Sequence, residues 1–200
     1  PEIFKGEPVF RTKKEGWELF RIGPDGSYTS ASAKTAHADT QFPLESFDQF
    51  AKQGVARWIG TDDLAVAAYD QLVQKVCPCV LLVHSQGGAF GFKVAEQRPD
   101  KVKAIVAIES ATAGVVANAP KLKDVPVLQI FGDYVDPHPR WSTFKKADMA
   151  YGEAIKKAGG TAEWINLPEA GIKGNSHMLM QDKISHQIAD WLLTWLAKNP

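Results

Sequence analysis

Three short apolar runs, CVLLV at 79–83, VKAIVAI at 102–108 and VPVLQIF at 125–131, are separated by segments with helical periodicity, and TAEWINL at 161–167 forms a fourth of similar length. A strand with one wet face alternates apolar and polar residues, whereas a continuous apolar run suits a strand covered on both faces. The intervening segments carry helix signals. One runs from about Gly88 to Arg98 and is ended by Pro99, and another from about Trp141 to Ala158 is stopped by Gly159-Gly160. The last carries Ile184, Ile188, Trp191, Leu192, Trp195 and Leu196 along a single apolar stripe. Upstream, Thr61 is a candidate cap, Asp62 and Asp63 suit the positive end of a helix, and Leu64, Ala68, Leu72 and Val76 recur at helical spacing. Strands that alternate with helices predict an α/β fold with a mostly parallel sheet flanked by helices.

Residues 1–45 are less regular and read as an entrance or cap region. Trp17, Leu19, Phe20 and Ile22 suggest a short strand before the turn at Pro24-Asp25-Gly26. Ser46 to Trp58 reads as one helix or two short ones, opening a regular region over 46–200 within a single domain. A chain of 200 residues is long enough for one well-buried core.

Lys plus Arg and Asp plus Glu number 23 each, so the formal net charge is zero and the electrostatic case for nucleic acid as a partner is gone. No apolar run reaches the ~18 residues that a membrane span needs. The sequence opens on Pro1-Glu2-Ile3 without a charged-then-apolar leader, and a start on Pro makes a processed, trimmed or partial chain the expectation. Cys77 and Cys79 read as two small apolar residues at the start of a strand, because a bridge between strand residues two apart would strain the disulfide geometry. Nothing in the sequence calls for a metal or an organic cofactor.

The stretch VLLVHSQGGAFGFKVAEQRPD, 80–100, ends a buried strand on His84-Ser85-Gln86-Gly87-Gly88 and turns at once into a helix. Ser85 therefore falls at the carboxyl end of a parallel strand, where open α/β sheets place their ligands. A nucleophile on such a strand-to-helix elbow needs small neighbours, here Gly87, Gly88 and Ala89. The backbone N–H of Gln86 is a candidate oxyanion donor at the helix start. Val83 stands where the G-x-S-x-G pattern has its first glycine.

A serine hydroxyl needs a base, and in this chain order the base follows the last strand. Of five histidines, His37 is upstream, His84 flanks the serine, His138 sits among prolines and His186 lies on the final helix. His177, in GIKGNSHMLMQD, occupies the Gly-rich loop after the fourth strand and is the candidate base. Titration of an ordinary histidine would make activity fall below about pH 6.5. Two sites compete for the acid. Asp133 and Asp136 follow the third strand in FGDYVD, and Glu109 follows the second in AIVAIES. A turn role accounts for Asp133 after Gly132, while Glu109 has no such turn preference. Spacing alone leaves the contest open.

VHSQGGAFG, AIVAIES, FGDYVDPHPRW and GNSHMLMQD together resemble the atypical bacterial esterases of the α/β-hydrolase superfamily, over most of the chain from Pro43 onward. The resemblance implies an α/β-hydrolase fold with Ser85 as nucleophile, His177 as base and Glu109 as acid, and it makes Val83 normal for the group. It implies a serine carboxylesterase acting on a small-molecule ester through an acyl-enzyme, and favours a periplasmic or secreted setting. The complete fold has further strands before the region seen here, including the loop that gives a second oxyanion N–H. The nucleophile strand would otherwise be an apolar, unpaired edge. The chain is thus expected to be the carboxyl-terminal part of the fold, with the missing amino-terminal part as its partner.

Alternatives on the same triad are lactonase, thioesterase or acyltransferase chemistry, and one of another class is a binding protein that kept the fold without the reaction. A homodimer is compatible with everything above. Trp17, Phe42, Phe47 and Trp58 could line an acyl or alcohol pocket, but core packing is the favoured role for them.

Overall fold

A computed structural model describes residue 4 and residues 6–199. The opening Pro1-Glu2-Ile3 thus lies outside the described residues. Four strands, β1 (Cys79–His84), β2 (Val102–Ile108), β3 (Val127–Phe131) and β4 (Ala162–Asn166), form one sheet in the order β1-β2-β3-β4. All three pairings are parallel.

The central strands β2 and β3 are covered on both faces, which is why they read as apolar runs, whereas the equally apolar β1 keeps one face open. On one face Ile105, Ala107 and Val127 pack with Phe92 and Ala95 of α4 (Gln86–Gln97) and Tyr151 and Ile155 of α5 (Pro139–Lys157). On the other, Ala104, Val106, Leu128 and Ile130 meet Ile188 and Trp195 of α6 (Ser185–Lys198). The apolar stripe read along the last helix is the stripe that packs.

The strands follow the sequence reading closely, β2 residue for residue. β3 begins at Val127 rather than Val125, and Pro126 before it has no N–H to give to a ladder. Helix α4 starts at Gln86, two residues earlier than its glycines suggest, so that Ser85 alone joins it to β1.

Other expectations are corrected. Trp17 and Leu19 lie on a helix, α1 (Lys13–Leu19), rather than a strand. Thr12 and Glu15 form a reciprocal capping box that nucleates it, with Thr12 N–H on Glu15 Oε2 at 2.7 Å and Glu15 N–H on Thr12 Oγ1 at 3.2 Å. The helix expected over 46–58 is confined to α2 (Phe47–Lys52), preceded by a 3₁₀ turn at Leu44–Ser46. Helix α3 (Asp62–Val76) starts where expected, but the Thr61 side chain does not cap it and donates instead to the Trp58 carbonyl at 3.2 Å. It packs through Val66 and Val73 against Val94, and the line Leu64, Leu72 and Val76 stands exposed. This helix bears two apolar lines at helical spacing, and only one has a surface to meet.

Cys77 and Cys79 form a disulfide, contrary to the expectation of two small apolar residues with no bridge between them. They are not two residues of one strand: Cys77 is the carboxyl cap of α3 and Cys79 the first residue of β1, with their Cα atoms 4.5 Å apart. That separation lies within the ordinary disulfide range.

The amino-terminal segment has a core of its own. Trp17, Ile22, Phe42 and Phe47 are all buried together, so the favoured core role holds for three of the four aromatics. The fourth, Trp58, stacks on Phe4 at 4.8 Å. This segment is fastened to the loop after β4 by main-chain bonds, His177 N–H to Phe20 O at 2.9 Å and Gln41 N–H to Gly174 O at 2.7 Å. It therefore lies over the carboxyl ends of the strands. Among the described residues β1 pairs only with β2, and its Val80 and Leu82 side chains are exposed. No described helix is long and apolar enough to cross a membrane.

Candidate active site

Ser85 sits on the turn between β1 and α4 with φ +52° and ψ −126°, a backbone region that costs a non-glycine residue about 1–3 kcal/mol. Hydrogen bonds to the end of β2 and the segment after it hold it there: Ser85 N–H donates to Ile108 O at 3.2 Å, and Ser85 O accepts from Ala111 N–H at 2.9 Å. Only one of the two elbow glycines is needed for room. A Cβ on Gly88 would lie 2.2 Å from Ser110 Oγ, whereas one on Gly87 would meet nothing.

Glu109 follows β2 immediately and is also strained, at φ +42°. Its N–H is tied to Ile130 O at 2.9 Å, which aims the side chain across the end of the sheet. There Oε2 accepts from His177 Nδ1 at 2.6 Å, and His177 Nε2 accepts from Ser85 Oγ at 2.9 Å. A carboxylate can only accept, so the imidazole carries its proton on Nδ1 and presents a lone pair to the serine. Oε1 of Glu109 accepts from Gly132 N–H at 2.7 Å and from Arg21 Nη2. Gly132 must be glycine for this approach, since a Cβ there would lie 2.6 Å from Oε1.

Asp133 is occupied elsewhere. Its carboxylate accepts from Tyr134 N–H at 2.7 Å and Gly174 N–H at 2.9 Å, pinning the loop that carries His177. Asp136 pairs with Lys145 at 2.9 Å. Of the three carboxylates in contention, Glu109 is the one on the histidine. His37 stacks on Tyr134 at 3.6 Å, His138 caps α5, and His186 lies on α6.

His177 is 1% exposed, with its ring between those of Trp141 at 4.0 Å, His84 at 4.5 Å and Phe20 at 5.3 Å. Its carbonyl accepts from His84 Nε2 at 2.9 Å. Asp182 holds the preceding residues, accepting from Ser176 N–H at 2.9 Å, Ser176 Oγ at 2.8 Å and Asn175 Nδ2 at 3.2 Å. The imidazole is thus fixed by packing on its faces and by hydrogen bonds along its loop.

Arg21 is the residue that the sequence reading missed. It comes from the turn after α1, is buried with Glu109, and is itself in the left-handed region at φ +57°. Its Nε donates to Asp133 O at 2.8 Å, and its guanidinium lies 5.1 Å over the Trp141 ring. Four described non-glycine residues have positive φ, and three of them, Arg21, Ser85 and Glu109, meet in this one network. Strain concentrated in this way is a mark of a functional site.

Burial alone would raise the Glu109 pKa. The Arg21 charge and the hydrogen bonds from His177 and Arg21 outweigh burial, and the carboxyl is held well below its ordinary value. His177 moves the same way for a different reason: desolvation disfavours its cation more than Glu109 favours it, and the charge of Arg21 adds to the effect. The resting arrangement is therefore an ionised acid, a neutral imidazole and a neutral hydroxyl. Such a set can take a proton from the serine and stabilise the imidazolium that forms.

Gln86, as the first residue of α4, has no acceptor within the helix for its N–H. Its side chain bridges Arg57 and Asp62, at 3.3 Å to each. Two cavities open on Ser85 and share Arg11 and Phe20 in their walls, one of about 430 Å³ that His177 also lines and one of about 210 Å³ that Gln86 lines. The aromatics that line the larger one are Phe20 and Phe50.

No protein-family model matches the chain. Among solved structures it is similar to a bacterial esterase known at atomic resolution, with 36% identity and a TM-score of 0.86 over 96% of this chain and 60% of that one. Among curated proteins it is similar to a probable secreted lipase, phiG, of a fungal species, with 25% identity over 82% of this chain and 60% of that protein. The chain thus spans about 60% of the length of either relative. The sheet, its flanking helices and this likeness make the fold that of an α/β hydrolase.

Proposed function

We propose that the full-length protein is a serine hydrolase that cleaves carboxylic esters through an acyl-enzyme on Ser85. The observation that carries this reading is the unbroken chain Ser85 Oγ–His177 Nε2 at 2.9 Å and His177 Nδ1–Glu109 Oε2 at 2.6 Å. Similarity to an esterase and to a lipase supports the ester as substrate class.

In this mechanism His177 Nε2 accepts the Ser85 proton as Oγ attacks the ester carbonyl. The carbonyl oxygen becomes an oxyanion and meets the Gln86 N–H at the positive end of α4. His177 then passes its proton to the leaving alkoxide, which departs as the alcohol. Water attacks the acyl-serine with His177 again as base, and the acid and free Ser85 are restored. Glu109 keeps the imidazole tautomer and offsets its transient charge, and Arg21 with Gly132 keeps Glu109 ionised and in place.

The exposed Val80 and Leu82 on β1 and the uncovered line on α3 support further strands of the full-length protein pairing along β1. The Cys77–Cys79 bridge supports an oxidising compartment, periplasmic or extracellular, where disulfides persist.

The direct test is a fluorophosphonate probe, which reacts with an activated serine. Peptide mapping of the labelled full-length protein is expected to find the adduct on Ser85; labelling elsewhere, or none, would remove the hydrolase reading. The pH profile gives a second check. Because the His177 pKa is lowered in the folded protein, its neutral, basic form persists below the ordinary value of 6.5. Activity falls only as the pH drops through that lowered pKa, so the acidic half-point of kcat/KM is expected below pH 6.5, correcting the limb expected from sequence. A half-point at or above 6.5 would contradict a buried, desolvated base.

A further inference from the structure

The two cavities at Ser85 differ in charge, and the difference points to the substrate class. The smaller is lined by Arg11, Arg57 and Arg140, together with Trp141 and Phe144; the larger shares Arg11 and adds Lys13, whose charge is paired with Asp48 at 2.8 Å, but has neither Arg57 nor Arg140. Among the described residues none of the three arginines forms an ion pair within 4.0 Å. Arg57 contacts Gln86 Oε1 at 3.3 Å, and that amide lies between it and Asp62. Arg11 has Glu15 nearby and lies 5.9 Å over the Phe20 ring. The Arg11 pKa is lowered, first by burial and then by Arg57, with Arg140 adding to it against Glu15. Three like charges therefore converge on one small space that opens on the reactive hydroxyl.

Such a convergence is unfavourable in the free protein and is relieved by an anion. Guanidinium groups recognise carboxylates through paired N–H donors. The chemistry decides which half of an ester goes where. His177 must protonate the leaving oxygen, so the alcohol lies in the cavity His177 lines, the larger one with Phe20, Phe50 and Met178. The acyl group then lies on the Gln86 side, in the smaller cavity with the arginines.

We propose that the arginine-lined cavity is an acyl subsite for a second carboxylate, so that the preferred substrates are half-esters of short dicarboxylic acids with an apolar alcohol. Ester hydrolysis at Ser85 proceeds as described above, and the free carboxylate stays ionised and takes no part in bond making. Arg57 and Arg140 set specificity. The inference rests on the hydrolase reading and adds the identity of the acyl group to it.

The test compares monobutyl glutarate with butyl pentanoate, which replaces the free carboxylate by a methyl group, following acid release by the full-length protein. The half-ester is expected to have the higher kcat/KM by about tenfold or more, the equivalent of one good charge-assisted contact. That preference should shrink as salt rises from about 0.05 M to about 0.5 M, because the arginines are exposed enough to be screened. In the double variant Arg57→Gln/Arg140→Gln the ratio of the two kcat/KM values should fall to near one. No advantage for the half-ester in the native protein, whether or not butyl pentanoate is cleaved, overturns the subsite. So does a preference that survives loss of both arginines. Fluorophosphonate labelling of Ser85 in the same samples separates the two readings: a labelled serine without the preference leaves the hydrolase standing, and an unlabelled one removes both.

Discussion

Glu109→Gln is expected to lower kcat by about 10⁴-fold while Asp133→Asn changes it by no more than a few-fold. The glutamine keeps the shape of the side chain but loses the charge, and its amide can donate to Nδ1 where the carboxylate could only accept. An imidazole that takes that hydrogen bond carries its proton on Nε2, facing Ser85, and can no longer act as base. Asp133 has no contact with the imidazole, and its carboxylate holds Tyr134 N–H and Gly174 N–H. The measurement is single-turnover kinetics on a p-nitrophenyl ester for both variants. Comparable losses in the two, or the larger loss in Asp133→Asn, would transfer the acid role to position 133.

The second large effect is predicted at Arg21. Arg21→Met removes one member of an ion pair whose side chains are each 2% exposed, and leaves the other charge buried. Breaking a buried pair from one side costs about 3–5 kcal/mol, which for a chain of this size lowers Tm by roughly 6–20 °C. Arg21→Lys should recover only part of this, because an ammonium cannot reproduce the bonds that Nε and Nη2 make to Asp133 O and Glu109 Oε1. A purely structural role would stop there. The Arg21 charge also depresses the His177 pKa, so its removal should move the acidic limb of kcat/KM toward higher pH. Calorimetry and a pH profile of Arg21→Met check both expectations. An unchanged Tm with an unchanged limb would show that the guanidinium neither stabilises the fold nor acts on the triad.

What the sequence made legible follows the range of each interaction. The doubly covered strands, the elbow at Ser85 and the stripe on α6 are local patterns, and each is written in consecutive or helically spaced residues. Glu109 differed from Asp133 locally only in having no turn role to account for it, and it was the family resemblance that chose between them. Arg21 has no such signature. It lies 88 residues from Glu109, and nothing near position 21 shows that the turn after α1 will cross the ends of the strands. The same reason hides Phe20 and Trp141, whose contacts with His177 come from separate elements. The first helix was legible in principle through Thr12 and Glu15; the aromatic run Trp17 to Ile22 drew the reading toward a strand instead. In α3 two apolar lines compete, and periodicity alone cannot say which of them finds a neighbour. The Cys77–Cys79 pairing depended on where α3 ends and β1 begins, a boundary that falls between the two sulfurs.

The central claim is that Ser85 becomes acylated with His177 as its base, and pre-steady-state hydrolysis of p-nitrophenyl acetate by the full-length protein tests it most directly. The account predicts a burst of nitrophenolate equal to the enzyme concentration, with one acetyl group recovered on the Ser85 peptide after acid quench and neither signal in Ser85→Ala. A burst that persists in Ser85→Ala, or an acetyl group recovered on another residue, would contradict it.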